Sequence, residues 1–307
     1  MGTRVIMDEG KVAGTLRVPS APGIGTLSTR PRSRSVKERT AHGVCLLPYS
    51  VWVTYERHEC LAMCLLAVMF RVVNGADVVI GANREEAYAR GGEPPAILEG
   101  RIPFVAGIDP VAGGTWLGIN ATGLVVAVTN RRKSIPPTKP HSRGLLVRTL
   151  LAQPGAAEAI DEAQRALSTN EYDGCNILCV DRERATVLHS GDWLRVQPLP
   201  SGVHILTNRD VNDLSDARVR FALDRLASRE YSTVEQAMSA MRLLCASREE
   251  PTPLCLHGSE RGTVSSTLVA IGPTWQESEL MHAQGSPDRA GYQDCSVLLH
   301  QLMTHSR

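Results

Sequence analysis

The stretch "MCLLAVMFRVVNGADVVIGANREE", residues 63 to 86, restricts the fold more than any other part of the 307-residue chain. Two apolar, β-branched runs, 64–73 and 77–82, flank Asn74-Gly75. Asn-Gly between such runs is the strongest short-range hairpin signal, because a type I′ turn needs positive φ at both central residues. With Asn74 and Gly75 in those places, Val73 opposes Ala76. Carrying that register back along both strands sets Cys64 opposite Glu85, with Asn83 on the same face and Arg84 on the other. A thiol, a carboxylate and an amide thus meet at the open end. A hairpin that merely ends in solvent has no need of that combination, and a lone carboxylate would raise the thiol pKa by like-charge repulsion. A cation between them resolves the conflict. If Met63 initiates the chain and is removed, the α-amine of Cys64 supplies it. An α-amine (pKa about 7.7–8) and a thiol (about 8.5) are matched closely enough for the amine to take the thiol proton, the logic of N-terminal nucleophile catalysis.

Ordered patterning begins at Met63. Residues 1–62 are rich in Pro, Gly, Ser and Arg without a sustained period, and carry nine Lys/Arg against five Asp/Glu. They read as a disordered extension or a mis-assigned start, with 63–307 as one domain. Downstream, strand patterns recur at 115–119, 124–129, 176–181, 185–189, 193–197, 203–207, 263–271 and 278–282. Helical patterns lie at 143–152, 156–168, 215–228 and 233–246, the last opening on a Thr233/Gln236 capping box. Strands come in clusters with helices gathered between them. That is the order of an α+β fold with antiparallel sheets, not of alternating βαβ units.

A net charge of +1 and 4% aromatic residues argue against a nucleic-acid binder. The apolar run from Cys64 stops at Arg71, well short of the roughly 20 residues of a membrane span, and the first residues lack a signal-peptide core. The expected location is cytoplasmic. Cysteines at 45, 60, 64, 175, 179, 245, 255 and 295 form no CxxC pair and no Cys/His ligand cluster by spacing, so neither zinc nor a disulfide framework is expected. The same absence makes a cysteine redox protein the poorest reading.

The motifs "MC", "ANREE", "GGTWLGINATGLVVAVTN", "SRG" and "YDGCNIL" resemble the NRDE family, also called the transport and Golgi organisation protein 2 family. The resemblance runs from Met63 to about Tyr292, and "GGTWLG" after "NREE" is its most specific part. It implies an Ntn-hydrolase-like αββα sandwich of two antiparallel sheets between helix layers. Relatives in pattern, such as bile salt hydrolases and penicillin V acylases, cleave non-peptide C–N amide bonds. By position, Cys64 is then the nucleophile, Glu85 the carboxylate that orients its amine, and Asn130 and Asn208 the oxyanion donors. Two departures stand out. Glu85 occupies the family's usual Asp position, and Val264 replaces an Arg, with Arg261 on the other strand face.

Asn83, Arg84 and Trp116 are expected at the pocket, although Gly113-Gly114 before Trp116 would equally suit a turn that seats a core Trp. The Pro-rich loop after Asn130 carries Arg131, Arg132, Lys133, Lys139 and Arg143; it is either a solvated loop or a rim for an anionic substrate, with Arg131 and Arg143 the candidates. No histidine spacing forms a ligand motif, and only His257 in "LCLHGSERG" is held open as a haem ligand; no other cofactor is implied. Two functions follow from the resemblance: a cysteine amidohydrolase acting on a small acyl substrate, or a non-catalytic carrier or trafficking factor (Golgi organisation, protein secretion, haem or lipid handling) holding a hydrophobic ligand on the same scaffold.

Overall fold

The Asn-Gly hairpin forms, in a register one residue away from that of a regular type I′ hairpin. A computed structural model describes residues 64–302; the segment 1–62 and Met63 lie outside them. Strands β1 (Leu65–Val73) and β2 (Ala76–Ala87) pair with Val73 opposite Ala76. Gly75 has φ +90°, but Asn74 is not among the residues with positive φ. One positive central φ is the pattern of a type II turn, whose twist splays the strands. The strands recover at a bulge: Arg71 adopts φ +54°, and two residues of β1 between Phe70 and Val73 face one of β2. The Arg71 guanidinium is held by the Arg182 carbonyl at 2.9 Å. Beyond the bulge Leu65 opposes Asn83. The faces change accordingly. Leu66, Val68 and Phe70 point between the sheets with Val78, Ile80 and Ala82, while Leu65 and Ala67 point outward with Val79. By the same alternation Cys64 shares the inner face with Arg84, and Asn83 and Glu85 turn outward, which corrects the expected Cys64–Glu85 pairing.

β2 runs five residues beyond the expected end, because β11 (Arg261–Ile271) pairs along it as far as Ala87 and satisfies the backbone of the polar Asn83–Glu86 segment. The remaining strands are β3 (Ala96–Leu98), β4 (Phe104–Ala106), β5 (Leu117–Asn120), β6 (Val125–Asn130), β7 (Cys175–Val180), β8 (Ala185–Ser190), β9 (Leu194–Leu199), β10 (Gly202–Leu206), β12 (Glu279–Ala283) and β13 (Gln293–Asp294). They form a six-stranded sheet in the order β10-β1-β2-β11-β12-β13 and a seven-stranded sheet running from β3 to β9 in chain order, antiparallel throughout.

Three buried layers follow. Leu66, Ile80, Ile119, Val125 and Leu178 fill the space between the sheets. Helices α3 (Ala217–Ala227) and α4 (Val234–Cys245) cover the outer face of the first sheet through Val219, Ala222, Met241 and Leu244. Helices α1 (Arg143–Leu151) and α2 (Ala156–Leu167) cover the second through Leu146, Leu150, Ala159 and Ala163. This is an α+β fold of two antiparallel sheets between helix layers. Thr233 caps α4 by accepting from the Gln236 amide at 3.2 Å, but the Gln236 side chain reaches back to the Ser232 amide instead of completing a box with Thr233. The short strands β3, β4 and β13 and the C-terminal helix α5 (Ser296–Leu302) have no counterpart in the sequence reading. Two or three residues carry no period to read.

Candidate active site at the open end of the hairpin

The inner faces of the two sheets part at the open end of β1 and β2 and leave a cavity of about 300 Å³. Cys64, Arg84, Trp116, Asn130, Arg143 and part of Glu85 line it, together with Glu86, Arg90, Asp109, Thr115, His141 and Asp173. Local packing builds one wall. Gly114 lies against Gly144 so closely that a Cβ on it would fall 2.4 Å from the Gly144 carbonyl carbon, and the Thr115 amide donates to the Gly144 carbonyl at 3.1 Å. "GGTW" and "SRG" therefore interlock: the first seats Trp116, the second starts α1 with Ser142 capping the Leu145 amide at 3.3 Å.

Arg84 lies 4.2 Å over the Trp116 ring and donates to the Gly91 carbonyl. Arg90 grips Asp109 (Nη2–Oδ2 2.6 Å) and sits 3.8 Å from Glu86. Burial alone would raise the Asp109 carboxyl, but the hydrogen bonds from Arg90 outweigh it and hold the group below its ordinary range. Arg143 donates to the Gly174 carbonyl at 2.7 Å and lies 3.8 Å from Asp173.

Among the described residues, Cys64 reaches only a weak partner, the Glu85 backbone carbonyl, 4.0 Å from Sγ. Burial, and then the Glu85 charge, push its thiol up to about 12. With residue 64 inside an unbroken chain the sulfur is a thiol, not a thiolate. Glu85 is 3% exposed and, by strand alternation, turns to the outer, helix-covered face of the sheet. Thr263 donates to its Oε1 at 3.0 Å, and the nearby Leu65 backbone adds a smaller lowering influence on the carboxyl. Desolvation nevertheless lifts Glu85 to about 8, against the lowering influence of Arg218 at the start of α3. Among the described residues, Glu85 Oε2 is buried and meets no donor. Arg218 is a residue the sequence reading missed. Val264, by contrast, occupies a bulge of β11 between Thr263 and Ser265 and lines a separate pocket with Tyr88 and His257.

The two candidate oxyanion residues are placed by one buried network that crosses the sandwich. Thr129, next to Asn130, donates to the Thr207 carbonyl, next to Asn208, at 2.6 Å. Asn176 of β7 donates to Thr129 Oγ1 and to the carbonyls of Thr207 and Arg209 at 3.0–3.1 Å. Its Oδ1 takes a hydrogen bond from His189 Nδ1 at 2.8 Å, and burial drives that imidazole down to about 4, so it stays neutral. Asn130 reaches the cavity. Asn208 is not among the lining residues, but the β1–β10 register, which pairs Leu66 with Leu206, carries it alongside Cys64. Its Oδ1 is buried and unpartnered among the described residues.

Two expected site residues lie elsewhere. Asn83 Nδ2 donates to the carbonyls of Cys245 and Leu254, 2.8 and 3.1 Å away, and so anchors the end of α4 to β2 instead of facing the cavity. Arg131 is spent on Asp210 (2.7 Å) and Asn176 (3.3 Å). The face change at the bulge accounts for Asn83. Arg131 is held by Asp210, a residue 79 positions away that local sequence could not associate with it.

The sequence model for the family described as Transport and Golgi organisation 2 matches residues 63–271. The chain belongs to this family. No curated protein matches it by sequence. Solved structures that resemble this Transport and Golgi organisation 2 member include a Caenorhabditis elegans ortholog of N-acylethanolamine-hydrolyzing acid amidase, at 15% identity and a TM-score of 0.49, covering 67% of this chain and 92% of that one. Penicillin V acylase from Agrobacterium tumefaciens follows at 13% identity and 0.47, covering 72% and 83%. A conjugated bile acid hydrolase mutant from Clostridium perfringens gives 13% and 0.43, covering 76% and 93%. Among the described residues, no helix is long and apolar enough to cross a membrane.

Proposed function

We propose that the cleft is the active site of an N-terminal cysteine amidohydrolase that cleaves a non-peptide C–N amide bond of a small acyl substrate once Cys64 has become the first residue. One observation carries this reading: among the described residues, Glu85 Oε2 is a buried acceptor without a donor, beside the backbone where β1 begins. Buried carboxylate oxygens are rarely left unpaired, and an α-ammonium on Cys64 would supply the missing donor. The unpartnered Asn208 Oδ1 offers that ammonium a second acceptor. In the mature protein the α-amine takes the Cys64 thiol proton, and the sulfur adds to the substrate carbonyl. Asn130 and Asn208 side-chain amides donate to the oxyanion. The amine then returns the proton to the departing nitrogen, and water hydrolyses the thioester by the same route. Arg84, Trp116 and Arg143 shape the acyl and leaving-group sides.

The test joins intact mass spectrometry of protein from its own cells with turnover of an acyl-amide panel. A mature chain starting at Cys64, active as wild type and inactive as folded Cys64→Ala and Cys64→Ser, is expected. An intact peptide bond between residues 63 and 64 in protein that still turns over amides refutes the mechanism. The second reading, a non-catalytic carrier, is favoured by the thiol raised to about 12 in the uncut chain. It requires a haem or acyl ligand that co-purifies equally with the wild type and with both Cys64 variants.

A further inference from the structure

Local sequence spacing gave no ligand cluster, yet the fold assembles one away from the cleft. Cys255 and His257 stand on the segment that leads from α4 into β11, and Asp288 on the loop after β12. Their ligand atoms all lie within 4.8 Å of one another. Cys255 Sγ is 3.1 Å from Asp288 Oδ1 and 3.8 Å from His257 Nε2, and His257 Nε2 is 3.0 Å from Asp288 Oδ1. A tetrahedral zinc ion with bond lengths of 2.3 Å to sulfur, about 2.05 Å to nitrogen and about 2.1 Å to oxygen spaces its ligand atoms by about 3.4–3.6 Å. The three atoms therefore already sit within about half an ångström of the edges of one tetrahedral face. Thiol and imidazole protons both converge on a single carboxylate, which is the arrangement a metal ion replaces when it displaces them.

We propose that Cys255, His257 and Asp288 form a zinc(II) site with a water in the fourth position. The donor set suits zinc: one thiolate, one imidazole and one carboxylate, where magnesium or calcium would want oxygen alone. Cys255 is 1% exposed, whereas the His257 and Asp288 side chains are each 15% exposed, so the open position faces solvent. Two guanidinium groups lie near Asp288 Oδ2, Arg248 at 3.8 Å and Arg289 at 3.9 Å, and leave Oδ1 to the metal.

The ion would tie the Cys255–His257 segment to the loop that carries Asp288. The 257–262 turn closes through the His257–Gly262 bridge and the Gly258 amide on the Arg261 carbonyl at 3.0 Å. Between the two ligands, the Leu256 amide donates to Thr263 Oγ1 at 2.8 Å, and the same hydroxyl donates to Glu85. Zinc at Cys255 and His257 thus braces the residue that positions the cleft carboxylate, one strand away from the cavity.

The full chain, stripped with chelator and dialysed, is titrated with zinc(II) and, for spectroscopy, with cobalt(II). One equivalent of metal is expected, with a thiolate-to-cobalt charge-transfer band in the near ultraviolet and a rise in thermal midpoint on adding zinc. Cys255→Ser should remove the band, and His257→Gln and Asp288→Asn should each weaken binding at least tenfold, with circular dichroism confirming the fold. Should Cys255→Ser fail to fold, the Asp288→Asn titration decides alone. Binding well below one equivalent, a cobalt spectrum without thiolate character, or variants that bind as tightly as wild type overturns the site.

Discussion

Replacing Glu85 with Gln distinguishes a chain with residue 64 in peptide linkage from the proposed form that begins at Cys64, by the sign of its effect on stability. Glu85 is 3% exposed, and its carboxyl is raised from 4.5 to about 8 with residue 64 in peptide linkage. The native state therefore binds a proton that the unfolded state releases between those two values. Stability from this group is complete below pH 4.5 and is lost as pH rises toward 8. At 1.36 kcal/mol per unit, holding the acid neutral at pH 7 costs the uncut protein about 3 kcal/mol, and the cost levels off at about 5 kcal/mol above pH 8. Gln is neutral at every pH and can still accept from Thr263. Uncut Glu85→Gln should thus be more stable than uncut wild type by about 3 kcal/mol at pH 7 and indistinguishable from it near pH 4.5. With a free α-ammonium on Cys64 the order reverses, because the substitution then removes a buried counter-ion. Urea unfolding of both proteins between pH 4.5 and 8.5, on chains whose first residue has been established by mass, measures the difference directly. A pH-independent difference in the uncut pair would refute the argument that the carboxyl is buried without sufficient compensation.

Gly114→Ala drives a Cβ to 2.4 Å from the Gly144 backbone and should cost about 3 kcal/mol by urea denaturation, because backbone on both sides has no rotamer to yield. Asn176→Ala strips donors from Thr129, Thr207 and Arg209; about 3 kcal/mol of stability should go, and under the proposed amidase mechanism kcat should fall more than KM rises as Asn130 and Asn208 lose their spacing. His189 is held neutral down to about 4 by burial, so the native state binds fewer protons than the unfolded one as pH drops from the ordinary imidazole value near 6.5. Wild-type stability should decline on acidification through that window, and a His189→Gln thermal-melt series should show a shallower decline.

What local sequence determined here is what short-range physics governs. Apolar periodicity and a Gly at the turn were enough to place the hairpin, most of the longer strands and four helices, and clustered strands implied antiparallel pairing. "GGTW" and "SRG" were visible only as separate motifs; what joins them is a backbone approach that tolerates no Cβ. The faces of the hairpin's open end were beyond reach, because one bulged residue at Arg71 reverses them and nothing local distinguishes that bulge from a regular strand. Hence Arg84 joined Cys64 on the inner face while Asn83 turned to brace α4. Contacts between distant segments decided the rest. Arg218 modulates Glu85 from another layer, Asn176 spans both sheets, and Asp288 meets Cys255 and His257 across gaps of 33 and 31 residues that no ligand spacing could reveal. Charge and hydrogen bonding act through space, and only the folded chain sets those distances.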